Sequence, residues 1–299
     1  MTTDDASVGD IVRLAGGDER AIVEGRVFLD RKRVEGADEP VFSGEEVTIA
    51  PPQSSEDGVT ILCESGDVVA ANKPAGLPTI ADHAGATRTL IASVARLLAR
   101  DVKEFHATSR LDREVSGVVL FATSRKAIHR LTIARDHGQY ERRYVALSRG
   151  SPTTELGTWD APIGRARDPR HRAPFGKEAT DARSRFAVVA RAGEFALLAL
   201  APITGRTHQL RVHAAYAGAP LLGDRAYGGL SRATLPSGRV LAFGRIALHA
   251  ARVRVPRADG SVLEVVATVP AELRGWWRAV GGEDDAWETA LAAVTAPPG

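Results

Sequence analysis

Strand-patterned and helix-patterned segments follow one another along this chain without regular alternation, and that order constrains its fold more than any other feature. Residues 68–71 (Val-Val-Ala-Ala) read as a short buried strand, and 72–78 as a loop punctuated by Pro74, Gly76 and Pro78. Helical spacing over 88–100 (Leu90, Val94, Leu97, Leu98) is followed by an apolar strand at 118–122 and a helix at 127–137. A strand over 144–147 comes next, then a basic, proline-containing, irregular stretch at 164–180. Residues 186–189 and 195–200 pair as a hairpin around Gly193. A helix over 207–217 is stopped by Gly218 and Pro220, and strands return at 246–255 and 263–268. Repeated strand-helix-strand crossovers would build a parallel sheet. Their absence predicts an α+β fold with a mainly antiparallel central sheet flanked by helices.

A smaller module precedes this body. Residues 7–26 read as a short helical region broken at Gly16-Gly17. A strand pair follows with a turn near Asp30–Lys32, then a strand over 41–49 around Gly44. The run Pro51-Pro52-Gln53-Ser54-Ser55 breaks the pattern as a linker. The division expected is a module at 1–52, a main domain at 57–282, and a weakly structured acidic tail at 283–299.

Several classes are excluded or disfavoured. No apolar run approaches the ~20 residues of a membrane-spanning helix, and the first residues, MTTDDASVGD, contain no apolar signal segment. A cytoplasmic, monomeric protein is expected. Cys63 is the single cysteine, so no internal disulfide forms; it sits in VTILCES and reads as a small buried strand residue. No G-x-G-x-x-G or Walker pattern occurs, so no nucleotide cofactor is implied.

The net charge is only +2, but its distribution is uneven. Asp4, Asp5, Asp10, Asp18 and Glu19 crowd one end, and Glu283, Asp284, Asp285 and Glu288 the other. Basic runs lie between: Arg125, Lys126, Arg130, Arg135, Arg142 and Arg143, then Arg165, Arg167, Arg170, Arg172, Lys177, Arg183 and Arg185. Such patches attract phosphates. Lysines occur only at 32, 73, 103, 126 and 177; the other cations are arginines, which grip phosphate in a fork and stack on bases. A codon bias toward arginine would produce the same excess.

Four constellations carry candidate chemistry. Ser109-Arg110-Leu111-Asp112-Arg113-Glu114-Val115-Ser116-Gly117 places a carboxylate between arginines just before a buried strand. Gly205-Arg206-Thr207-His208-Gln209-Leu210-Arg211-Val212-His213 opens a helix that gathers Arg, His and Gln, and the N-terminus of that helix favours an anion. His208 and His213 are five residues apart, which does not align them on a helix; with no third ligand evident, no metal is expected. Arg142-Arg143-Tyr144-Val145-Ala146-Leu147 brings a tyrosine into a strand, and Asn72-Lys73-Pro74-Ala75-Gly76-Leu77-Pro78 forms a loop. Taken singly, each reads equally well as structure: a surface ion pair, a core aromatic, a turn.

Together and in this order, the four resemble the motifs of RluA-type pseudouridine synthases. Residues 72–78 resemble the first motif, and 109–117 the catalytic motif, usually H-R-L-D-x-x-T-S-G. Tyr144 falls in a K-x-Y-x-A motif. Residues 205–213, continuing through Gly218-Ala219-Pro220-Leu221-Leu222-Gly223-Asp224-Arg225-Ala226-Tyr227-Gly228-Gly229, match the third motif almost throughout, and Leu248-His249-Ala250 fits a late strand. The resemblance spans about residues 60–270. Ser109 stands where histidine is usual and Val115 where threonine is usual, which bears on how the loop is hydrogen-bonded. The first module resembles, more loosely, the alpha-L RNA-binding domain: Gly25-Arg26-Val27-Phe28-Leu29-Asp30 and Gly44-Glu45-Glu46-Val47 match its strand patterns, while Gly16-Gly17-Asp18-Glu19-Arg20 replaces its basic helix.

The resemblance implies isomerisation of a specific uridine to pseudouridine in structured RNA, ribosomal or transfer, with no cofactor. A base within a helix must be flipped out for this. Asp112 is implied as the essential carboxylate, either a nucleophile at the sugar or a base that starts elimination. Arg211 is the cation expected beside it. Tyr144 is expected to stack on the uracil and to help remove the proton from carbon 5. Arg110, Arg206, His208 and Gln209 are the expected RNA contacts. The alternative is a catalytically weak RNA-binding or assembly protein on the same fold.

Overall fold

The computed structural model describes residues 6–15, 20–23, 27–30, 32–42, 44–49, 57–81, 88–235 and 237–293. The Gly16–Glu19 segment, Gly25-Arg26, the 51–55 linker and the acidic Asp4 and Asp5 lie outside the described residues. The chain divides into two compact units: residues 1–74, 78–110 and 119–130, and residues 75–77, 111–118 and 131–299.

The first unit opens with helices α1 (Val8–Leu14) and α2 (Arg20–Val23) and strands β1 (Val27–Leu29), β2 (Lys32–Arg33) and β3 (Val47–Ile49). Ser7 and Asp10 close a reciprocal capping box that satisfies the first amides of α1. The three strands pair in the order β2-β1-β3 over Val8, Val12, Ala21, Ile22, Val27, Val34 and Val41. The strand expected over 41–49 is shorter, because the Phe42 amide donates to Glu45 and the Glu45 amide to Phe42, making a turn. Next come β4 (Thr60–Ser65) and β5 (Val68–Lys73), an antiparallel hairpin, then α3 (Leu90–Leu97) and β6 (His106–Ala107). Strand β7 (Ser116–Ala122) contributes its Val119–Ala122 end here, beside β5 and β6. Cys63 is buried on β4, as expected. Helix α4 (Arg125–Asp136) begins in this unit, where Arg130 and Ser124 both donate to the Asp67 carboxylate.

The second unit is built on β8 (Glu141–Arg149), β9 (Leu156–Trp159), β10 (Ile163–Arg165), β11 (Arg172–Pro174), β12 (Lys177–Thr180), β13 (Ser184–Ala192) and β14 (Phe195–Pro202). It continues through α5 (Gln209–Tyr216), β15 (Arg232–Thr234), β16 (Val240–Ala242), β17 (Leu248–Pro256), β18 (Val262–Val266), α6 (Ala271–Ala279) and α7 (Ala286–Ala293). The order β17-β8-β14-β13-β9 is antiparallel throughout, with β18 also antiparallel to β17. Its single parallel contact joins β17 to the start of β7, His249 opposite Ser116 and Ala250 opposite Gly117. That contact requires glycine: Gly117 has φ +119°, and a Cβ there would lie 2.2 Å from the Ala250 carbonyl oxygen.

Three further expectations change. Residues 164–180 are not irregular: β11, β10 and β12 form a small antiparallel sheet whose strands are too short to show alternation. The helix expected over 207–217 starts at Gln209, because His208 takes a left-handed conformation with φ +58°. The tail is not weakly structured through 283–293: α7 folds onto the core, where Trp287 is fully buried with Trp276, Trp277 and Phe243. Acidic composition concealed an apolar face of Trp287 and Ala290. Replacing Trp287 with alanine should cost about 3–5 kcal/mol in urea denaturation, whereas a loose tail would leave stability unchanged.

His249 is fully buried, and burial pushes its pKa from 6.5 down to about 4. Its Nε2 donates to the Ala267 carbonyl and its Nδ1 accepts from Ser116, whose hydroxyl receives Arg245 Nη1. Between pH 6.5 and 4 the unfolded chain binds the extra proton. Stability should be intact above about 6.5 and fall by on the order of 3 kcal/mol as pH drops through that window. Urea midpoints against pH would show this slope, and His249→Gln should flatten it.

Candidate active site

The site grows from two loops and one short helix of the second unit. Asp112 lies in the turn leading into β7, closed by the Val115 amide donating to the Asp112 carbonyl at 3.0 Å. Because the backbone makes this bond, valine replaces threonine there without opening the turn, and the Val115 side chain is buried. Residues 75–77 clasp the same loop: the Gly76 amide donates to the Arg113 carbonyl at 2.8 Å, and Arg113 Nε donates back to the Gly76 carbonyl at 2.9 Å. The first sequence motif therefore serves as a brace for the carboxylate loop.

Arg211, on the first turn of α5, joins two acids. Its Nε and Nη2 donate to the two oxygens of Asp224 at 2.7 and 2.8 Å, a fork-to-fork pair. Its Nη1 donates to Asp112 Oδ2 at 2.8 Å. The Asp224 side chain is 1% exposed and that of Arg211 8%, while that of Asp112 is 27% exposed. Burial alone would lower the Arg211 pKa, but the hydrogen bonds and charges of Asp224 and Asp112 outweigh it and hold the guanidinium charged. Asp224 is thus locked inside, and Asp112 is the member that reaches solvent. Gly223 precedes Asp224 with φ +78°, and a Cβ there would sit 1.8 Å from the Arg245 carbonyl oxygen, so the turn carrying Asp224 needs glycine.

The ring of Tyr227 lies 4.9 Å from the Arg211 guanidinium. Its hydroxyl accepts from the Arg172 amide at 2.9 Å and meets His208 Nδ1 at 2.7 Å. With one lone pair engaged, the hydroxyl satisfies both groups best by donating to Nδ1, which leaves the imidazole proton on Nε2. That Nε2 lies 3.9 Å from Asp112 Oδ2. Burial lowers the His208 pKa despite the charge of Asp112, so the ring is neutral near pH 7. The strained left-handed backbone at His208 aims the ring into this cluster.

The structure brings Asp112, Arg211 and His208 together. Tyr144 sits on β8 opposite Leu200 and Ala250, 7% exposed, and feels the Asp112 charge. Burial raises its pKa above the ordinary phenol value. It therefore keeps its proton, and the expected help in removing a proton from carbon 5 would need a phenolate that burial disfavours. Gln209, expected as an RNA contact, faces inward. It is 4% exposed, and its amide is used within the protein: it accepts from Thr204 Oγ1 and the Arg206 amide, and donates to the Arg183 carbonyl and Ser184 Oγ. It shapes the 204–209 loop from within the protein. Arg206 is exposed with Nε on the Asp181 carbonyl. Arg110 belongs to the first unit, where it is exposed. Among the described residues no cluster of His, Cys, Asp or Glu could hold a metal ion.

The family described as RNA pseudouridylate synthase matches residues 67–216. A Chlorobaculum parvum protein named as an uncharacterized RNA pseudouridine synthase is 32% identical over 282 residues, covering 85% of this chain and 86% of its own. This chain belongs to the RNA pseudouridylate synthase family. It is an isomerase acting on RNA uridine, and the RluA-type resemblance read from its motifs is borne out. It is also 31% identical to the ribosomal large subunit pseudouridine synthase D of Vibrio parahaemolyticus, covering 84% of this chain and 82% of that one. The human RNA pseudouridylate synthase domain containing 1 protein superposes with a TM-score of 0.60 at 24% identity, covering 84% of this chain and 99% of that one, a likeness of fold.

Asp224 and Tyr227 carry the site as much as the expected residues do. Both stood inside the third motif, but no spacing rule connects position 224 to position 211. Asp224→Ala should cost about 3–5 kcal/mol of stability. The milder Asp224→Asn should fold and lower turnover about 10²-fold by loosening Arg211. Turnover per folded molecule, against RNA affinity, checks this; unchanged turnover would remove Asp224 from the site.

Proposed function

We propose that Asp112 is the catalytic carboxylate and that the target is one uridine of ribosomal RNA. The observation that carries this is the chain of charge from buried Asp224 through Arg211 to the partly exposed Asp112. The bond from the sugar C1′ to N1 of uracil breaks, the base turns, and C1′ bonds to C5. The C5 proton is lost and N1 ends with a proton, so atoms and electrons balance without an external oxidant or reductant. Asp112 serves as nucleophile at the sugar or as the base that starts elimination. Arg211 fixes its orientation, and Tyr144 packs against the extruded ring as a neutral phenol. Neutral His208 offers its Nε2 proton toward Asp112 or the substrate. Arg110 and Arg206 hold the RNA.

Ribosomal RNA is favoured over transfer RNA by the names of the relatives, which include ribosomal large subunit synthases C and D. The small first module, with its β2-β1-β3 sheet, is assigned to holding RNA. No helix among the described residues is long and apolar enough to cross a membrane; a monomer working in the cytoplasm is the setting proposed.

Asp112→Asn should abolish pseudouridine formation, by more than about 10³-fold, while RNA affinity stays within about twofold. Tritium release from carbon-5-labelled uridine RNA and a filter-binding assay measure the two. A turnover equal to wild type would remove Asp112 from its role. Mapping pseudouridines in ribosomal and transfer RNA from cells lacking the gene identifies the target.

A further inference from the structure

We propose that the β10–β12 sheet and α5 form a track for single-stranded nucleotides flanking the target uridine. Arginines grip the phosphates, and Phe175 with Tyr216 stacks on a base. This rests on the reading of the chain as an enzyme of RNA uridine and names where the flanking strand runs.

A cleft of about 230 Å³ lies at the start of α5, lined in part by Arg165, Arg172, Arg206, Glu178, Thr180 and Thr207. Three guanidiniums face one carboxylate there. Arg206 is held by the Asp181 carbonyl, and Arg172 by the Pro169 and His171 carbonyls. Carbonyls orient these side chains without cancelling their charge. Arg165 meets Glu178 only at 3.6 Å, with both side chains about 60% exposed. The cleft therefore keeps a net positive charge and hydroxyl donors suited to a phosphodiester. It is joined to the catalytic acid: the Arg172 amide donates to Tyr227, which contacts His208, whose Nε2 faces Asp112.

A second observation points the same way. Phe175, in the turn between β11 and β12, is 65% exposed, and Tyr216, at the far end of α5, is 61% exposed. Their ring centroids are 6.1 Å apart at 71°. Phe175 holds a left-handed φ of +56°, fixed by its amide donating to the Pro162 carbonyl at 2.7 Å. Large rings held in water at one end of α5 and arginines at its other end are the two components of a single-strand binding surface. A duplex keeps its bases stacked on one another and offers no free face to Phe175.

The test measures Kd by fluorescence anisotropy, in the Asp112→Asn background so that nothing turns over. The probe is a short single-stranded RNA containing uridine with several nucleotides on each side. Phe175→Ala should weaken binding about tenfold with an unchanged salt slope, since stacking releases no counterions. Arg165→Ala and Arg206→Ala should each weaken binding and make the salt slope shallower by about 0.7. Val262→Ala, on exposed β18, is the control and should bind as the parent does. Circular dichroism verifies that each variant folds. Parent-like affinity in Phe175→Ala, or an unchanged slope in the arginine variants, overturns the track. An equal loss on a blunt duplex overturns the stacking role. Failure of the catalytic reading is a separate result: wild-type enzyme forming no pseudouridine would sink that reading and leave these affinities measurable.

Discussion

One guanidinium shared between two carboxylates organises the catalytic half of this protein. Arg211 gives its Nε edge to buried Asp224 and its remaining terminus to Asp112. A buried ion pair of this kind adds little net stability, because removing both charges from water offsets most of their attraction. What it supplies is direction. The planar fork matches Asp224 on one edge only, and the unused Nη1 must then point where Asp112 lies. A lysine would satisfy the charge but not the geometry, since its ammonium has no fixed plane.

The backbone around this triad is built for close approach. Gly117 lets the start of β7 run against β17, and Gly223 lets the turn before Asp224 run against the Arg245 carbonyl. A third tie, from Ser116 to His249 and Arg245, fixes the C-terminal side of the Asp112 loop from within the core. The Gly76–Arg113 clasp fixes the residue that directly follows the carboxylate. The loop is held at Arg113 and Ser116 while the Asp112 carboxylate stays partly exposed, which keeps such a group both rigid and accessible.

Much of the architecture was legible in the order of residues. The hairpin around Gly193, the apolar strand at 118–122 and the antiparallel character of the sheet follow from periodicity and turn residues. The short, exposed strands β10–β12 were not legible, since three or four residues show no alternation. Helix α7 was masked by its acidic surroundings, although Trp287 fills the core. His208 was read as helical because nothing local marks a non-glycine residue for the left-handed region; the cluster it joins dictates that conformation.

The sequence by itself determined the family and the α+β class, because motif residues and apolar periods are properties of neighbours along the chain. Only the tertiary structure decided that Asp224 anchors Arg211, that Gln209 faces inward and that Tyr144 is buried. Each of those depends on burial and on contacts between residues distant in the chain. Desolvation and hydrogen-bond geometry arise where the chain folds back on itself, and no local pattern encodes them.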